Sequence, residues 1–204
     1  MIGVFFLAAG LGLLFNAAPG AVFTESLRRG LRGGFRPALA VQVGSLVGDA
    51  AWAVLGLAGI GALFAVPALR VPLTVGGCLL LCWLGVRGLR DAIRPAPAAD
   101  RETAPGRSAW YAGAGMSLGN PLNVVYWSGT ASAVNGALGG DAGFTGLAVF
   151  FAGFMISSLA WCFVCAGAIA LAHRALPPLA VRAVEGLCGA ALLCLAAIAF
   201  AGLG

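Results

Sequence analysis

Asp49 is the only acid that falls at mid-depth in one of the chain's long apolar runs. It stands twelve residues after Pro37, roughly 18 Å along a helix rising 1.5 Å per residue. A carboxylate carried that far into hydrocarbon costs about 2.5–3.5 kcal/mol on an insertion scale, so it belongs on the inside of a helix bundle. Gln42, Ser45, Asp49 and Trp52 recur at i, i+3, i+7 and i+10, one narrow helical face that would line a pathway. Burial disfavours the charged carboxylate, which suits a group that exchanges a proton or meets an ammonium. The competing assignment is a structural carboxyl hydrogen-bonded to a neighbouring helix.

Two further stretches offer main-chain chemistry. Asn16, Pro19 and Gly20 lie deep in the first apolar run, and Asn120, Pro121 and Asn123 lie in the fourth. Proline has no N–H and clashes with the carbonyl four residues back, here Phe15 and Ser117, so each helix must open locally. In lipid an opened backbone survives only where protein or a water-filled cavity satisfies it. The two prolines are 102 positions apart in a chain of 204, so the breaks fall at matching places in two halves. Paired interruptions of this kind point to a transporter's binding site. The cargo chemistry they imply is a small zwitterion: its carboxylate on opened N–H groups, its ammonium near carbonyls and Asp49. Ser117, Asn120, Asn123, Trp127 and Thr130 share the polar face of the fourth run. Two prolines that merely kink packed helices are the alternative.

These stretches sit in a membrane protein. Hydrophobic residues make up 61% of the chain and charged ones 9%, against roughly 25% charged in a soluble domain. The twelve basic residues are all arginine, and they cluster between apolar runs rather than along a face, which reads as topology and not as nucleic-acid binding. Runs are expected near 2–23, 37–64, 71–89, 109–135, 143–172 and 181–203, each long enough for a core about 30 Å thick. The first lacks a basic N-terminal flank and exceeds the 7–15 residues of a signal core, so it is expected to stay as a helix. A loop is expected over Glu25–Arg36 and a Pro/Ala-rich cytoplasmic linker over 90–108, between a first repeat (1–89) and a second (109–204). Eleven of the twelve arginines fall on the connections after the first, third and fifth runs, which puts those connections in the cytoplasm and both termini outside. Three spans per half then inverts the second half relative to the first. The expected fold is an all-α membrane protein with six transmembrane helices as two inverted three-helix repeats.

Other features are open to plainer readings. Ser158 and Trp161 share a face of the fifth run and would line a pathway, although Trp also favours membrane interfaces. Cys78, Cys82, Cys162, Cys165, Cys188 and Cys194 all lie in apolar runs. They read as packing residues; no metal site and no cofactor are expected. The lone His173 is placed in a loop. Glu25 with Arg28 and Arg29, and Arg182 with Glu185, read as solvated ion pairs at helix ends. Gly44-x-x-x-Gly48 and Gly115-x-x-x-Gly119 fit close helix packing, within one protomer or in a homodimer.

Pro19-Gly20 in the first run, Gly48-Asp49 in the second, Asn120-Pro121 in the fourth and Ser158-x-x-Trp161 in the fifth resemble the LysE/RhtB family of amino-acid exporters, over essentially the whole chain. The resemblance implies export of amino acids or related metabolites from a bacterial cytoplasm across its inner membrane, in exchange for protons. The family usually reads Pro-Gly-Pro where this chain has Ala21, and often Asn-Pro-Lys where it has Leu122. The missing lysine removes a partner for a cargo carboxylate or for Asp49. A second hypothesis is a transmembrane thiol–disulfide electron relay through the buried cysteines. A third is a non-transporting scaffold, which has no use for Asp49.

Overall fold

The computed structural model describes residues 1–17, 20–57, 67–93, 106–120, 123, 127 and 143–201. Regular structure within them is α-helical: α1 (Ile2–Ala17), α2 (Ala21–Gly33), α3 (Phe35–Leu57), α4 (Pro67–Ile93), α5 (Gly106–Leu118), α6 (Phe144–Ala175) and α7 (Pro178–Ala201). An apolar run in lipid has no water to bond its backbone, and a helix satisfies every interior N–H and C=O within itself. By length and apolarity α3, α6 and Pro178–Ile198 of α7 qualify as membrane spans. The α1 and α2 pair, bent by 63°, qualifies as a fourth, broken span. The last stretch of the expected fourth run, like Pro19, Pro121 and Leu122, lies largely outside the described residues; Asn123 and Trp127 are described, and both are helical.

The loop expected over Glu25–Arg36 is instead α2 and the first turn of α3. Charge density suggested a solvated connection, but Glu25 three and four residues before Arg28 and Arg29 is also the spacing of a helical face. Gly34 ends α2 with φ of 75°, a conformation that glycine adopts without strain, while its N–H bonds Gly30 O at 2.7 Å. His173, expected in a loop, belongs to the last turn of α6.

Without a hydrophobic drive between helices in lipid, close packing has to come from small residues. Three helix pairs use glycine for it. Against α5, Gly44 sits under the Trp110 carbonyl, and a Cβ on Gly48 would stand 2.6 Å from Leu118 N. Against α1, Gly153 of α6 leaves 2.6 Å between such a Cβ and Phe5 O. Between α4 and α7, Gly85, Gly88 and Gly189 meet backbone to backbone. Gly44-x-x-x-Gly48 thus packs inside the chain, whereas Gly115 faces the Leu80 side chain. An apolar core of Ala8, Trp52, Ala53, Trp127, Phe150 and Phe154 lies where α1, α3 and α6 meet.

Candidate functional site

Asp49 is 3% exposed, halfway along α3. Ser117, near the end of α5, donates from Oγ to Asp49 Oδ1 at 2.6 Å. Gly48 makes this approach feasible, since a side chain there would collide with Ser117 and the Leu118 N–H. Sequence dictates what surrounds the pair. Pro121 has no N–H to return to the Ser117 carbonyl, so that oxygen must find donors elsewhere. It accepts from Trp52 Nε1 at 3.2 Å, from Asn123 Nδ2 at 2.9 Å and from the Asn120 N–H at 3.3 Å. Asn123 Nδ2 also reaches Ser117 Oγ at 3.3 Å, and Asn120 Nδ2 donates to Asn123 Oδ1 at 3.2 Å. Asp49, Trp52, Ser117, Asn120 and Asn123 therefore form one network between α3 and the end of α5.

A second polar contact joins α1 to α6. Asn16 Nδ2 donates to Ser158 Oγ at 2.8 Å and to Gly12 O at 2.8 Å. Ser158 is fully buried and Asn16 half-buried. Aromatic rings lie near both contacts. Phe154 packs edge-on to Trp127 at 4.7 Å and tilted against Phe15 at 5.9 Å, in the apolar core that also holds Trp52. Gly20, half-buried, precedes α2 in extended backbone, and its carbonyl accepts from both the N–H and Oγ1 of Thr24.

The remaining residues on the expected α3 face lie nearer its N-terminal end. Gln42 Nε2 donates to Cys165 Sγ at 3.3 Å, and Ser45 Oγ returns to Gln42 O at 2.8 Å. Trp161 is half-buried against Ala38, Cys165 and Ala166. Ser45 is about one turn and Gln42 about two turns of helix from Asp49 on the same α3 face, and Trp161 stands on α6. All six cysteines are free thiols.

Ser117 is the hub of the network, yet the sequence reading gave it only a place on the polar face of its helix and a freed carbonyl. A signal for α6 was also available. Gly44-x3-Gly48-Asp49-x2-Trp52 on α3 has the same spacing as Gly153-x3-Ser157-Ser158-x2-Trp161 on α6. In the structure Gly44 and Gly153 each take the close contact with a backbone carbonyl, and Asp49 and Ser158 each take the cross-helix hydrogen bond.

Polar groups gathered inside apolar helices, with the Ser117 carbonyl among them, are what a membrane translocator needs. The chain belongs to one: the model of the family described as LysE type translocator matches residues 13–201. Its members are transporters, not enzymes. The chain is 50% identical over 203 residues to the Chemotactic transduction protein ChpE of Pseudomonas aeruginosa, covering 100% of both. It is 28% identical to the Threonine efflux protein of Escherichia coli K12, covering 84% of each. To the Putative amino acid efflux protein YcgF of Bacillus subtilis it is 24% identical, covering 90% of this chain and 88% of that one. No solved structure matches.

Proposed function

We propose that this chain exports amino acids or related small zwitterions from the bacterial cytoplasm, in exchange for protons, through six spans arranged as two inverted repeats in the inner membrane. The observation that carries the reading is the bond from Ser117 to the buried Asp49 beside a carbonyl that Pro121 cannot satisfy. Two efflux proteins among the relatives support an amino-acid cargo. Pairing of helices supports the repeats: α1 packs on α6 as α5 packs on α3, while α4 packs on α7 and α3 on α6. Exchanging the two halves maps each pair onto another or onto itself.

In this reading Asp49 accepts a proton when the site faces outside and releases it when the site faces the cytoplasm and cargo binds. Pro19, Gly20 and Asn16 from one half, and Asn120, Pro121, Asn123 and Trp127 from the other, hold the cargo. Gln42, Ser45, Ser158 and Trp161 line its path. Loss of the family's lysine at Leu122 leaves Asp49 without a cationic neighbour among the described residues, which favours cargo that brings its own ammonium. The test is transport by purified protein in liposomes. Asp49→Asn should keep counterflow of labelled threonine and lose export driven by a proton gradient; gradient-driven export with unaltered pH dependence would remove Asp49 as the carrier.

The relative at 50% identity supports a second reading, a part in chemotactic transduction. It predicts that deleting the gene changes the cell's chemotactic response even where amino-acid export is intact.

A further inference from the structure

Helix α2 is built inside out. Its buried residues are Glu25, Ser26, Arg28, Arg29, Gly30 and Leu31. Glu25 is fully buried and receives Arg28 Nε and Nη2, each at 2.8 Å, and Arg29 Nε at 2.6 Å. These were expected to be solvated pairs; they are not. Arg182 was expected to pair with Glu185, but it donates to the carbonyls of Ala92 and Ile93. Glu185 of α7, 2% exposed, is instead taken by Arg32 of α2 through Nε and, at 2.7 Å, through Nη2.

The same helix reaches across to α5, α6 and α7, the described helices of the second half. Arg29 Nη1 lies 3.4 Å from Ser108 Oγ on α5, and His173 Nδ1 of α6 donates to the Leu31 carbonyl at 2.7 Å. Within its own half it is tied down by Ser26, which donates to Ala38 O of α3 at 3.0 Å, and Arg28 runs along Gly88 of α4. The contrast with the other helix pairs is one of chemistry. Those meet mainly through glycines and backbone, with side-chain hydrogen bonds at Asn16–Ser158 and Ser117–Asp49, whereas α2 is linked to the second half by an ion pair as well as hydrogen bonds. Such links hold when dry, and water replaces them at little cost once it enters. Removing one partner from a dry pair, by contrast, leaves an uncompensated buried charge.

We propose that α2 is the cytoplasmic gate of this transporter and that Arg32–Glu185, seconded by Arg29–Ser108, is the latch that keeps it shut. The inference rests on the orientation and two-halves mechanism proposed above. With the latch closed, Ser45 and Gln42 are buried. When the halves part on the cytoplasmic side, α2 loses its hold on α5 and α7, and Arg32 and Glu185 are each hydrated.

The test uses the full chain with its six cysteines replaced and a single cysteine introduced as Ser45→Cys, labelled by a membrane-impermeant maleimide in inside-out and right-side-out vesicles. Glu185→Gln should raise labelling from the cytoplasmic side about tenfold, within the range of a population shift of this kind. It should lower labelling from the outside. The exchange Arg32→Glu with Glu185→Arg should return both rates to those of the parent, which a merely destabilised fold would not do. Unchanged labelling in folded Glu185→Gln protein, or a charge exchange that behaves like the single variant, overturns the latch. If Glu185→Gln does not fold, Arg32→Lys and the charge exchange give the same decision. A parent protein that moves no amino acid in liposomes but shows the labelling shift would remove the cargo assignment and leave the gate standing.

Discussion

At the residue scale, one hydroxyl holds the site together. Ser117 Oγ spans the 2.6 Å to Asp49 while its carbonyl collects Trp52 and Asn123. Ser117→Ala keeps the carbonyl and deletes the donor, leaving a buried carboxyl oxygen without this bond. The expected cost is about 1–3 kcal/mol, read as a lower melting temperature of the purified protein in detergent. Ser117→Thr restores the hydroxyl and should recover most of the loss. Asp49→Leu separates a structural carboxyl from a working one. Replacing both partners of a buried hydrogen bond by apolar groups of similar size can be nearly neutral for stability, so Asp49→Leu is combined with Ser117→Ala. A protein that melts normally yet exports nothing is the expected outcome, whereas full export would identify Asp49 as structural.

At the scale of elements, glycine decides which helices touch. Gly44 lies under the Trp110 carbonyl, while a Cβ on Gly3 meets nothing within 4 Å. Gly44→Leu should therefore cost about 1–3 kcal/mol through forced separation of α3 and α5, and Gly3→Leu should leave melting unchanged. The apolar runs that became α1, α3, α6 and α7 were legible in the sequence because lipid demands long apolar stretches, and the chain supplies them there. Asp49 was legible as well, because an acid among apolar residues has few places to go. Its partner was half legible: Pro121 announces a homeless carbonyl at Ser117 but says nothing of which helix comes to meet it. What stayed hidden was α2. Arginine between apolar runs looks like topology, and the acid that explains Arg32 is 153 positions away at Glu185. Spacing along the chain offered Arg182 in its place, the wrong partner. No local pattern encodes a long-range ion pair.

At the scale of the whole molecule, the proposed architecture is two halves of opposite orientation. The proposed three spans per half would put both termini outside. Reporter tags fused at Met1 and at Gly204 should each report the outside of the inner membrane, and a cytoplasmic signal from either would break the inverted arrangement. The claim on which the rest depends is that cargo and protons exchange through Asp49. Its most direct test is the proton movement itself, followed with a pH dye sealed inside liposomes that contain the purified chain. A gradient of threonine should drive protons in the opposite direction with the native chain, and Asp49→Asn should abolish that movement while threonine still exchanges for threonine. Threonine efflux that moves no protons in the native chain, or proton movement that persists in Asp49→Asn, would contradict it.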